Sequence, residues 1–171
     1  MSQRGKYEIL ALQYNDYLPR VLNYMRLRTD SEALAQELTA RTFERALSRL
    51  HSLRDEGAFG GWLFAIARTE VAGHYRRHRP QLPLESAFGC PAPGESAEAQ
   101  VVQSEELTSL VCALAFLQER EQEIIRLKFI AGLTNRAIGK AMGLRAGNVG
   151  VILYRALRKL KTSLLDTVDN P

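Results

Sequence analysis

The stretch PQLPLESAFGCPAPGESAEAQ, residues 80–100, limits what the rest of the chain can fold into. It holds four of the six prolines and no apolar period, which is the composition of a flexible linker. Proline fixes φ and removes a backbone donor, so neither a regular helix nor a central strand runs through such a segment. The 171 residues are thereby split into two blocks, each able to bury a modest core of its own. The expected organisation is a first domain over 1–80, a linker over 81–100 and a second domain over 101–171.

Within both blocks the apolar residues recur at helical spacing. The first block shows Tyr17, Val21, Tyr24 and Met25, then Ala33, Leu34, Leu38, Thr42, Phe43, Ala46, Leu47 and Leu50, then Phe59, Trp62, Leu63, Ile66 and Ala67. Strict alternation is absent, so the fold class is all-α, two small helical domains joined by a flexible linker. Helices are expected near 6–28, 31–50 and 59–77, and again near 101–115, 119–130, 134–141 and 146–165. Asp30 and Ser31 offer N-cap oxygens for the second helix, and Gly57, Gly60 and Gly61 mark a break before the third.

Composition excludes several classes of function. The N-terminal MSQRGKYEILALQYNDYLPR lacks the apolar core of a signal peptide, and no apolar run is long enough to span a bilayer. A cytoplasmic protein with no membrane insertion of its own is expected. Cys90 and Cys112 lie far apart without a CxxC, and His and Cys never cluster at ligand spacing. Neither a disulfide scaffold, a metal site nor a cofactor is therefore expected, and Cys112 reads as a small buried hydrophobe. No paired carboxylates and no nucleophile beside a base emerge, so the chain does not read as an enzyme. Glu37 and Glu44 read as a solvated helix face.

Net charge is +4, with a pI near 9.3, and its placement says more than its size. From Gln81 through Glu119 there is no Lys or Arg, so the cations belong to the flanking blocks. In the second block MGLRAGNVGVILYRALRKLKTSLL, residues 142–165, is basic with no acid before Asp166. With Gly143 as a turn, Gly139 falls four positions earlier, where two helices must approach closely. Ile138, Leu144, Val149 and Ile152 then take the interior positions of a helix-turn-helix. Val149, Ile152, Leu153, Ala156, Leu157 and Leu160 form one apolar stripe, leaving Asn148, Val151, Tyr154, Arg155, Arg158 and Lys159 outward.

The second helix of such a motif enters the major groove, so Asn148, Val151 and Arg155 are expected to read bases. Lys140, Arg158, Lys159 and Lys161 are placed for phosphates. Arg145 stands where a Ser or Asp N-cap is expected, which leaves a cation free to reach a phosphate. The plainer alternative is a solvated helix end whose cations complement the macrodipole; the embedded turn motif favours DNA.

In the first block FGGWLFAIARTEVAGHYRRHRP, residues 59–80, interleaves aromatics with cations, as suits single-stranded nucleic acid. Phe59 and Ile66 share an apolar face and belong to the core, while Trp62 is balanced between core and contact. Tyr75 and the arginines Arg68, Arg76, Arg77 and Arg79 are contact candidates. His74 and His78 lack a ligand partner and read as polar surface.

Taken together these segments resemble bacterial RNA polymerase sigma factors of the extracytoplasmic-function class of the sigma-70 family, over nearly the whole chain. ELTARTFERAL (37–47) and the segment 59–80 resemble region 2, and LQEREQEIIRLKFIAGLTNRAIGKAMGLRAGNVGVILYRALRKLK (117–161) resembles region 4. The resemblance implies a transcription initiation factor that binds core RNA polymerase and directs it to promoters. It assigns Glu37, Leu38, Arg41, Thr42 and Arg45 to the clamp helices of the β′ subunit. Trp62, Arg68, Tyr75, Arg76, Arg77 and Arg79 are assigned to melting of the minus-10 element. Arg145, Asn148, Val151, Tyr154, Arg155, Arg158 and Lys159 are assigned to the minus-35 element, with the second domain docked on the β flap. An anti-sigma factor is a further implied partner. The chain departs from the family pattern at AQEL (35–38) for a usual acidic pair, at Ala40 and Arg41 for Gln-Glu, at Thr69 for Asn, and at Gln118 for Pro. A rival reading is a one-component helix-turn-helix regulator acting as a dimer, for which no extended heptad seam is present.

Overall fold

Why the first block folds as three helices is visible at each boundary of the computed structural model, which describes residues 3–78 and 114–168. Arg79, the proline-rich stretch, both cysteines and the expected helix start near 101 lie outside the described residues. Helix α1 spans Gln3–Arg26, α2 Glu32–Ser48 and α3 Phe59–Arg77. Pro19 lies inside α1, where it removes one backbone hydrogen bond. Burial of Val21, Tyr24 and Met25 in the turns that follow offsets that cost. Ser31, not Asp30, caps α2: its Oγ accepts from the Leu34 N–H at 3.2 Å. Glu32 in the next position closes the α1–α2 corner through Arg26 Nε at 2.8 Å.

Helix α2 buries Ala35, Leu38, Thr39, Thr42 and Ala46 along one face. The two threonines donate to the carbonyls of Ala35 and Leu38 at 2.7 Å, so their hydroxyls enter the core already satisfied. Helix α3 is buried on most of its circumference, from Phe59 and Leu63 to Ile66, Ala67 and Val71. Aromatic rings lock α1 to it edge-on, Tyr17 against Phe59 at 5.1 Å and Tyr24 against Phe64 at 5.5 Å.

The second block contributes α4 Glu119–Ile125, a π-helical turn Arg126–Ile130, α5 Asn135–Met142 and α6 Ala146–Val168. Glu121 accepts from the Gln118 N–H at 3.0 Å, so a reciprocal cap replaces the usual proline at the start of α4. The Ala131 N–H reaches the Arg126 carbonyl at 3.1 Å, widening the last turn of the expected 119–130 helix. Gly132 at φ +66° then ends it, and Thr134 caps α5.

Two points depart from the sequence expectation. The blocks do not hold separate cores: Val21, Tyr24, Leu63 and Phe64 pack in one cluster with Ile124, Leu127, Leu133, Ile138 and Val149. Helix α3 has more apolar surface than α1 and α2 cover, and α5 takes the remainder. A smaller cluster joins Leu117 and Ile125 to Ala156 and Leu160. Leu157 is 41 % exposed rather than buried. At 3.6 residues per turn it falls roughly 80° from the centre of the stripe formed by its neighbours, on the flank of α6. No helix among the described residues is long and apolar enough to cross a membrane.

Candidate nucleic-acid interfaces

The helix-turn-helix is built by two glycines. Gly143 adopts φ +69° at the end of α5 and its N–H returns to the Gly139 carbonyl. A Cβ on Gly139 would lie 2.6 Å from the Leu144 carbonyl oxygen, so the turn closes over a position that has no room for a side chain. The Thr134 hydroxyl accepts from the Ala137 N–H at 3.2 Å and fixes where α5 starts. Ile138 and Val149 are fully buried beneath the turn, and Ile152 and Leu153 are half-buried.

These anchors settle the rotation of α6. Asn148, Val151, Tyr154, Arg155, Arg158 and Lys159 are all exposed and, at roughly 100° per residue, share the face of α6 opposite Val149 and Ala156, while Arg145 is exposed just before the helix. Arg145, Arg155 and Arg158 have no carboxylate partner among the described residues. Lys159 does: its Nζ donates to Glu121 Oε1 at 2.7 Å, which ties α6 to α4 and engages a cation expected on a phosphate. At the start of α6 the Arg145 carbonyl accepts from the Val149 N–H at 3.1 Å.

The second group lies on α3. Phe59 and Ile66 are buried, as expected, and Trp62 is half-buried against Phe59 with its Nε1 donating to Ser52 Oγ at 3.0 Å. Tyr75 is exposed and donates its hydroxyl to the Arg28 carbonyl at 2.7 Å. Arg76 and Arg77 are exposed beside it, and His74 and His78 stack at 4.2 Å between ring centres. Arg68 stands apart from this group. It faces the second block, donating from Nε to Glu123 Oε1 at 3.0 Å and from Nη1 to the Ala141 carbonyl.

Glu123 gathers several partners. Tyr24 Oη donates to the same Oε1 at 2.7 Å, and burial together with that carboxylate pushes the phenol well above its ordinary range, so it remains a donor. Glu123 Oε2 has ion-pair neighbours, Arg28 at 3.5 Å and Arg126 at 3.6 Å, yet no hydrogen bond.

On α2 the side chains expected to contact the polymerase divide between core and surface. Leu38 and Thr42 are 0 % exposed and belong to the core, because they lie on the face that packs inward. Arg45 pairs with the buried Glu70 of α3. Glu37 and Arg41 face outward and pair with each other at 2.7 Å. Beside them runs an apolar groove of about 510 Å³, lined by Leu10, Tyr14 and Leu18 of α1 and by Ala40, Phe43 and Leu47 of α2. The sequence carried its signal as Leu10, Tyr14, Leu18 and Leu22 at successive i, i+4 positions, a second stripe on α1.

Two family models match this chain: Sigma-70 region 2 over residues 13–81 and Sigma-70 region 4 over residues 107–160. The chain belongs to the sigma-70 family. Among its relatives are extracytoplasmic-function sigma factors. BldN of Streptomyces coelicolor is 32% identical over 168 residues, covering 96% of this chain, which itself spans 64% of the length of BldN. YlaC of Bacillus subtilis, an RNA polymerase sigma factor, is 27% identical over 173 residues, covering 96% of this chain and 95% of that protein. In fold, the sigma factor RpoE of Bartonella quintana, solved with the anti-sigma factor NepR, is similar with a TM-score of 0.64 at 22% identity, covering 95% and 98% of the two chains.

In sigma terms, region 2 comprises α1 to α3 and region 4 the helices from α4 onward. Sequence reasoning missed Tyr24, Arg28, Glu70, Glu121 and Glu123. Each is a polar residue whose partner is remote in sequence, and spacing along one helix carries no sign of such a pairing. Among the described residues no group of His, Cys, Asp and Glu could hold a metal ion.

Proposed function

We propose that the protein is a transcription initiation factor that binds core RNA polymerase and directs it to promoters carrying minus-10 and minus-35 elements. The observation that carries the reading is the open face of α6. A helix-turn-helix presents Asn148, Val151, Tyr154, Arg155 and Arg158 together, in a chain that belongs to the sigma-70 family. Asn148, Val151 and Arg155 read minus-35 bases; Arg145, Tyr154, Arg158 and Lys159 hold phosphates, Lys159 after leaving Glu121.

At the minus-10 element Trp62, Arg68, Tyr75, Arg76, Arg77 and Arg79 capture unstacked bases and track the separated strand, Arg68 after leaving Glu123. Residues 1–80 and 101–171 act as two reading units joined by 81–100. Glu37 and Arg41, with the neighbouring groove, form the face offered to the β′ clamp helices, and region 4 docks on the β flap. The work is binding and strand separation, carried out in the cytoplasm without a cofactor. An anti-sigma factor is the proposed regulatory partner.

Run-off transcription with core polymerase tests the reading. Promoter-dependent transcripts are expected when the protein is added and none without it. A protein that yields no transcript and shifts a palindromic duplex as a dimer is a regulator of another kind.

A further inference from the structure

The two blocks meet at a polar site that neither completes alone. Glu123 of α4 is 5 % exposed, and its carboxylate is directed into the first block. There it accepts from Tyr24 Oη at 2.7 Å and Arg68 Nε at 3.0 Å, with Arg28 Nη1 at 3.5 Å from the second oxygen. A phenol and two guanidiniums converging on one anion are also what a phosphodiester oxygen requires, since charge-assisted donors of this kind bind carboxylate and phosphate alike.

The packing around this site depends on a glycine. A Cβ on Gly61 of α3 would lie 2.9 Å from the Ala137 carbonyl oxygen and 3.2 Å from the Ala137 Cα. The backbones of α3 and α5 therefore touch because position 61 has no side chain. Gly60 differs, because a Cβ there would first meet the Tyr17 hydroxyl of its own block at 2.5 Å.

This contact is incompatible with reading two separated elements at once. The minus-10 and minus-35 elements lie 25 positions apart, about 85 Å at roughly 3.4 Å per base pair. Helix α6, with 23 residues, is about 34 Å long and its block is held against α3. Residues 79–113 span at most about 120 Å of chain, enough to let the blocks part.

We propose that Glu123 is an internal competitor for DNA: its carboxylate fills an anion site made by Tyr24, Arg28 and Arg68, and the same three groups take a strand phosphate once the blocks separate. The identity of the strand rests on the sigma reading; the existence of the site does not. Glu123 Oε2 and Arg126 Nη1 both lack a hydrogen bond in the closed arrangement. The pairing is incompletely satisfied, which lowers what a competing polyanion must overcome.

The test uses the full chain and two variants that act on different parts of the contact, Glu123→Gln and Gly61→Ala. Small-angle X-ray scattering reads the separation, and fluorescence anisotropy reads binding of a short fluorescein-labelled single strand of mixed sequence at low salt. Each variant is expected to raise the radius of gyration and to tighten strand binding about tenfold, the effect of a 1.4 kcal/mol shift in a two-state balance. Adding Arg28→Ala to Glu123→Gln should remove the tightening while the radius stays expanded. Helical circular dichroism equal to that of the parent shows that the variants fold, and Gly61→Ala, which favours helix, guards against failure of the first. Unchanged radii in both variants overturn the proposal, as does expansion without tighter binding. Run-off transcription is scored separately: variants that open and bind strand, from a parent that gives no transcript, leave the site standing and remove promoter reading.

Discussion

Arg155 and Arg158 lie three positions apart on the same open face of α6, and the tasks proposed for them divide by distance from the helix start. The N-terminal turns of a recognition helix go deepest into the groove, whereas later cations meet the backbone. Arg155→Ala should cost about 1–3 kcal/mol of duplex affinity and relax preference at one base position. Arg158→Ala should weaken all sequences alike and lower the slope of log affinity against log salt by about 1. Titration of matched and substituted minus-35 duplexes at several salt concentrations separates the two effects. At this scale the glycines were legible: Gly139 and Gly143 mark a close approach and a left-handed turn, and both occur. That Leu38 and Thr42 lie in the core was not legible from the family motif, which does not say which face of α2 packs inward. Glu123 was not legible, since an acid on an amphipathic helix ordinarily faces water.

Element boundaries follow local chemistry, and one of them responds to pH. Desolvation is the largest influence on Glu121 and pushes its pKa up. The Lys159 ammonium and the Gln118 N–H together outweigh it and hold the carboxyl below its ordinary value. Glu32, capping the α1–α2 corner, is held at about 2 by Arg26 and Gln36, although full exposure screens its contribution. For a carboxyl whose folded pKa is depressed, the stabilisation is complete above the unfolded value near 4.3 and is lost as pH falls through the folded one. The melting temperature should therefore fall on acidification below about pH 5, and Glu121→Gln should flatten that fall, as followed by circular dichroism across a pH series. Ser31 as an N-cap was readable from its place before an apolar run. The π-helical turn at Arg126–Ile130 was not, because its extra residue is absorbed by packing of Leu127 and Ala131 rather than signalled by any residue type.

Across the whole molecule, the shared core predicts how the protein comes apart. Ile124, Leu127 and Ile138 of one block pack in the same cluster as Tyr24, Leu63 and Phe64 of the other. The free protein should therefore unfold in one calorimetric transition whose van't Hoff and calorimetric enthalpies agree. Two resolved transitions would mean that the shared packing adds little to the stability of either block. The all-helical class was legible because helical periodicity acts locally. The union of the blocks was not, because the face of α3 that α5 covers carries the same apolar pattern as any buried helix face. Trp62 gives the molecule a further property. It is the sole tryptophan of the chain, it rests half-buried on Phe59, and its ring nitrogen is held by Ser52. All indole emission therefore originates from this one face of α3, so the strand capture proposed for it would be readable as a change in emission without a label.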